Sequence, residues 1–210
     1  MSRGNRPRAD RLGDVSAGVH NHRVENDDPS PAAVPRPAPL SAEQQQITET
    51  DRQVVAEQLG RQPRAMVAIA ARCTCGRPLV VRTAPRLEDG TPFPTTYYLT
   101  HPAAVKAVST LESSGIMAEM TNRLREDPAL AEAHRRAHED YLARRAELGE
   151  VPEIAGVSAG GMPGRVKCLH VLVAHSMATA PGINPLGDEA LQLIAHQWRP
   201  DVCSCEPTDA

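Results

Sequence analysis

The chain has 210 residues, a formal net charge of −3 and 40% hydrophobic residues. Such a charge offers no basic field for nucleic acid, and no apolar run reaches the ~18 residues that a membrane-spanning helix needs. The N-terminus is charged and lacks the apolar core of a signal peptide, so the expected compartment is the cytoplasm, where thiols stay reduced. The five cysteines are then expected to serve metal binding, thiol chemistry or burial rather than disulfides.

The first 45 or so residues hold Pro29, Pro31, Pro35, Pro37 and Pro39 and no sustained apolar periodicity. A segment of this composition cannot bury enough surface to offset its ordering entropy, so residues 1–45 are expected to form a disordered tail. Arg3, Arg6, Arg8 and Arg11 are then solvated charges. Residues 46–200 are expected to form a single α+β domain, with residues 201–210 as a short polar tail.

A first helix is expected from Thr50, where Thr50-Asp51-Arg52-Gln53 fits a capping box, and Gly60 suits its end. Residues 65–71 and 78–83 read as strands around the turn Arg72-Cys73-Thr74-Cys75-Gly76. Residues 93–100 read as a third strand, with Pro94 at its start or on an edge. In that stretch either Phe93, Thr95 and Tyr97 or Pro94, Thr96 and Tyr98 face the core, and Tyr98 could instead line a pocket.

Helices follow. Pro102 suits a first helical position and makes His101 the N-cap, with Gly115 as the stop. Ile116, Met117, Met120 and Leu124 mark a second short helix. Asp127-Pro128 opens a third, running to Leu148 with Leu130, Ala137, Tyr141 and Leu148 as a thin apolar stripe. His134 and His138 share a face of it at the i, i+4 spacing of a metal-binding pair. No glutamate follows His134 directly, so a solvated, charged face is expected there. A buried helix is expected over 164–180, apolar on most sides, and a last helix begins near Asp188 and Glu189, with Leu191, Ile194 and Trp198 as its apolar side.

Several segments together carry a family resemblance: GRQPR at 60–64, RCTCGRPLVV, PRLEDGTPFPTTYYLTHP, SAGGMPGRVKCLHVLVAHS and NPLGDEAL. Across about 58–195 the chain resembles the DUF501 family of bacterial proteins of unknown function, in its actinobacterial form. The resemblance implies no established activity. Members are often encoded beside a septum-formation protein and an exopolyphosphatase-like protein, which implies a link to cell division or envelope processes by association alone.

The residues give three candidate sites. The first is a metal site. Cysteines occur as Cys73-x-Cys75, Cys168 and Cys203-x-Cys205, and Cys168 stands two residues from His170. Thiolate and imidazole are the ligands zinc prefers, usually four in a tetrahedron. The expected ligands are Cys73, Cys75, Cys168 and His170, with His101 and His175 as substitutes, and Cys203 and Cys205 left in the tail. At 100° per residue Arg165, Cys168, Leu172, His175 and Thr179 share a helix face, but Cys168 and His175 are ~10.5 Å apart along it, too far for one metal.

The second is an anion site. Gly160, Gly161, Arg165 and Lys167 surround the expected start of the buried helix, where free N–H groups and the helix dipole favour a phosphate or carboxylate. The third is a catalytic role for Cys168, with cations close by to favour its thiolate, and for His175 as a base.

The expected architecture is α+β: a small antiparallel sheet of two to three strands packed on a mostly helical C-terminal half. Two functional readings stay open. One is a zinc protein acting through protein partners. The other is an enzyme on a phosphorylated or other anionic substrate bound at the glycine-rich turn. Neither a nucleic acid nor a membrane is an expected partner.

Overall fold

The computed structural model describes residues 34–205. The element order is α1 (Glu49–Leu59), β1 (Met66–Arg72), β2 (Pro78–Thr83), β3 (Tyr97–Leu99), α2 (Pro102–Ser113), α3 (Ile116–Glu126), α4 (Pro128–Ala146), α5 (Leu169–Ala178) and α6 (Pro185–Leu193). The strands form one antiparallel sheet in the order β1-β2-β3. The α+β architecture is therefore the observed one.

The alternation of strand side chains divides the sheet between two partners. Ile69 and Val81 face α1 and meet Val55 and Met66. Val80, Tyr97 and Leu99 face the opposite way, into the main core with Leu169, Leu172 and Val173 of α5. The pairing Val80↔Leu99 and Arg82↔Tyr97 fixes this register. β3 is shorter than the expected 93–100. Thr96 O accepts the Thr83 N–H at 2.9 Å, but the Thr96 N–H is given to the Tyr141 hydroxyl at 2.6 Å, which takes this residue out of the ladder.

α5 is the central helix. Every residue from Val171 to Met177 is buried, as expected of a helix apolar on most sides. It starts later than the expected residue 164. Gly160 and Gly161 take positive φ values of 78° and 92°, and the Gly160 carbonyl accepts the Lys167 N–H at 2.7 Å. That turn holds residues 164–168 off the helical path, and Cys168 becomes the N-cap. α6 crosses α5 closely because Gly187 has no side chain: a Cβ there would lie 2.3 Å from the Leu172 carbonyl oxygen.

Other caps follow their local chemistry. His101 and Asp127 cap α2 and α4, each ahead of a proline, as expected. The capping box of α1 lies two residues earlier than expected, at Thr48 and Asp51. Arg72 reaches both oxygens of Asp51, at 2.6 and 3.0 Å, and so ties α1 to the end of β1.

α4 departs from the expectation of a charged surface helix at His134 and His138, both of which are buried. The segment 150–168 covers this face. His138 Nδ1 pairs with Ser158 Oγ at 2.9 Å, and Arg145 donates to the Ile154 carbonyl at 2.8 Å. Burial lowers the pKa of both histidines.

Of the expected tail 1–45, residues 1–33 lie outside the described residues. The remainder is docked: Leu40 packs beside Val55 and Ile69, the Gln45 carbonyl accepts the Ile69 N–H at 2.9 Å, and Arg36 pairs with Asp188 at 2.6 Å. Among the described residues no helix is long and apolar enough to cross a membrane.

Candidate metal centre

The β1–β2 turn places the first two sulfurs. The Cys73 N–H donates to the Arg77 carbonyl at 2.8 Å, and the Gly76 N–H returns to the Cys73 carbonyl at 2.8 Å. Gly76 closes this loop at φ 90°, where a side chain would be strained. The second pair arrives from the other end of the chain. Trp198, buried after α6, packs its ring 5.8 Å from the His101 ring, and the chain turns through Arg199 to Val202 to reach Cys203 and Cys205.

The Sγ atoms of Cys73, Cys75, Cys203 and Cys205 all lie within 4.8 Å of one another, and none is in a disulfide. Four sulfurs ~2.3 Å from a tetrahedral zinc stand ~3.8 Å apart, so contraction by an ångström or less would complete the shell. The thiols also perturb one another. Burial raises the Cys75 pKa, but the Arg77 N–H and the Cys205, Cys203 and Cys73 side chains outweigh it and bring the thiol down to about 7. Burial and then Cys75 and Cys73 push Cys205 the other way.

His101 stands behind this cluster. Its Nδ1 accepts the Ala104 N–H at 3.4 Å as the cap of α2, so its proton sits on Nε2, 3.4 Å from Cys205 Sγ. Burial first, and then the Arg77 charge, lower its pKa and keep it neutral. An N–H directed at a sulfur supports negative charge there, as partners behind metal ligands do. His101, expected as a substitute ligand, is placed as a donor toward Cys205.

A comparison with protein families matches residues 69–192 to "Protein of unknown function (DUF501)", more than half of the 210-residue chain. The chain belongs to the DUF501 family. Neither the curated proteins nor the solved structures gave a match. In this DUF501 chain Cys73 and Cys75 lie inside the matched span and Cys203 and Cys205 beyond it.

The expected ligand set of Cys73, Cys75, Cys168 and His170 is divided. Cys168 and His170 gather with Glu112 in a separate group. The reason is topological: the hairpin turn is met by the chain's end, while the start of α5 is met by α2. Repetition of the Cys-x-Cys spacing was the one signal in the sequence that pointed to Cys203 and Cys205.

His175 is accounted for structurally. Its ring is fully buried, stacked on Tyr97 at 5.5 Å and edge-on to Tyr141 at 5.2 Å. Nε2 lies 2.8 Å from Asp140 Oδ1, and Nδ1 accepts from Asn184 Nδ2 at 3.2 Å. The Asn184 Oδ1 caps α6 by accepting the Gly187 N–H at 3.0 Å. With both nitrogens engaged and no exposure, His175 has no lone pair for a base's work. It is also absent from the lining of the cavity beside Cys168.

The start of α5 already holds an anion. Glu112 Oε1 accepts the Leu169 N–H at 2.6 Å and lies 3.1 Å from His170 Nδ1. Cys168 Sγ stands 3.9 Å from the same ring nitrogen. The contact with Cys168 raises the His170 pKa to about 9, against burial, and the Glu112 charge adds to the rise. Arg165 and Lys167 are exposed, and Gly160 and Gly161 spend their geometry on the turn that precedes the helix. Glu112 had no motif to announce it.

Proposed function

We propose that this protein is a zinc protein in which Cys73, Cys75, Cys203 and Cys205 hold a structural ion that fastens the C-terminal segment to the β1–β2 turn. The observation that carries the reading is the convergence of four sulfurs from two Cys-x-Cys pairs at opposite ends of the domain. An all-cysteine set is the donor chemistry of structural zinc, and four protein ligands leave no position for a substrate. His101 directed at Cys205 supports the same reading.

Such a site acts through what it holds in place. The role that follows is association with a protein partner, and the family resemblance links that role to cell division or envelope processes. The alternative of an enzyme with an anionic substrate at the glycine-rich turn has less support, because Glu112 occupies the start of α5.

The test is zinc content per chain for protein purified without chelator, in wild type, Cys75→Ser and Cys205→Ser. The reading expects each substitution to remove the same equivalent of zinc. Zinc content unchanged in both variants would refute it.

A further inference from the structure

Glu112, Cys168 and His170 form a second group of potential ligands, with one donor atom from each within 4.8 Å of the others. Glu112 reaches over from the last turn of α2, while Cys168 caps α5 and His170 sits in its first turn. Elements from two parts of the fold thus bring a carboxylate, a thiol and an imidazole to one point.

The orientation of His170 separates two chemistries. In a cysteine–histidine–carboxylate relay the two ring nitrogens serve different partners, one facing the thiol and the other the carboxylate. Here a single nitrogen, Nδ1, faces both, 3.9 Å from Cys168 Sγ and 3.1 Å from Glu112 Oε1. The other nitrogen, Nε2, lies 3.3 Å from the Val105 carbonyl oxygen and 3.2 Å from Ser109 Oγ. A carbonyl can only accept, so Nε2 carries a proton. Fixing the far nitrogen on a backbone carbonyl is how ligand histidines are oriented. A protonated Nδ1 pairs directly with the carboxylate, and a divalent metal taking that proton's place would be held by the imidazole, the carboxylate and the sulfur together.

We propose that Glu112, Cys168 and His170 bind a second divalent metal ion, zinc by the chemistry of the set, with its fourth position open to solvent. Cys168 and His170 both line a cavity of about 660 Å³, together with Lys106, Thr95, Tyr98 and Thr100. Three protein ligands, two of them lining a cavity, are the pattern of an open site, in contrast to the closed set of four cysteines. The Lys106 ammonium gives the cavity a positive charge. The class of exogenous ligand is therefore a small oxyanion such as a carboxylate, bound through oxygen to the metal. This inference does not depend on the four-cysteine reading.

The test uses the full chain. Zinc per chain is measured for wild type, Cys168→Ser, His170→Ala and the Cys203→Ser/Cys205→Ser double variant, with circular dichroism to confirm folding. Cys168→Ser and His170→Ala should each lose one equivalent relative to wild type, and the double variant should keep that equivalent. Wild-type zinc content in either folded single variant overturns the proposal, whatever the tail cysteines do. Loss only in the tail double variant overturns it while sustaining the structural zinc. Loss only in the two single variants sustains it and removes the structural zinc. Should Cys168→Ser unfold, His170→Gln carries the same comparison at a half-buried side chain.

Openness is read on cobalt(II)-loaded wild type. Acetate should shift the visible d–d absorption, with a weaker response in Lys106→Ala. A spectrum indifferent to acetate, or a response that survives in His170→Ala, overturns the open position.

Discussion

Replacing Asn184 with alanine tests how the centre of the fold is held and why His175 is structural. Asn184 is fully buried and makes two bonds: it caps α6 through the Gly187 N–H at 3.0 Å and donates to His175 Nδ1 at 3.2 Å. Loss of an N-cap costs about 1 kcal/mol. Leaving a buried ring nitrogen without its donor adds about 1–3 kcal/mol. The expected destabilisation is about 2–4 kcal/mol, or roughly 5–15 °C in Tm for a domain of this size. Asn184→Ser keeps a capping oxygen and loses the amide donor, so it should fall between wild type and alanine. Thermal unfolding followed by circular dichroism measures both. A loss under ~1 kcal/mol in the alanine variant would mean that the two bonds do not act as described.

Three further outcomes follow from particular contacts. Gly187→Ala should destabilise despite the better helix propensity of alanine. The new Cβ would meet the Leu172 carbonyl oxygen at 2.3 Å, and overpacking of about 1–3 kcal/mol or more outweighs the gain of about 1 kcal/mol in propensity; denaturant titration showing a neutral variant would contradict this. Glu112→Ala removes the acceptor of the Leu169 N–H, so amide exchange in the first turn of α5 should quicken while α3 and α4 are unaffected; unchanged protection at Leu169 would be the opposing result. Burial raises the Asp51 pKa, but Arg72 and Thr48 outweigh it and hold the carboxyl at about 2, below its ordinary 3.8. A depressed carboxylate stabilises above its unfolded pKa and loses that contribution as pH falls through the folded one. The stability gap between wild type and Asp51→Asn should therefore be full near pH 6 and close between about pH 4 and pH 2; a constant gap would argue against the ion pair.

The parts of the fold legible in the sequence were those set by neighbours along the chain. His101-Pro102 and Asp127-Pro128 marked helix starts because a capping side chain and a fixed φ act within a turn. β2 was readable from its run of β-branched residues before a turn. The misplaced start of α5 came from reading apolar spacing through Val166, which belongs to the turn held by the Gly160 carbonyl. His134 and His138 appeared solvated because the segment that covers them is a loop with no periodicity of its own. The candidate site was half legible. The donor types and Cys73 and Cys75 could be named, whereas their meeting with Cys203 and Cys205 depends on Trp198 docking against His101, a contact between distant segments. Glu112 gave no local sign at all, since a single carboxylate at a helix end is an ordinary surface residue until α5 arrives beside it.

Zinc X-ray absorption on the His170→Ala protein isolates the four-sulfur centre, because that substitution removes the second proposed metal site. The expected spectrum shows a single shell of four sulfurs at about 2.3 Å. A shell containing nitrogen or oxygen at about 2.0–2.1 Å, or protein without zinc, would contradict it.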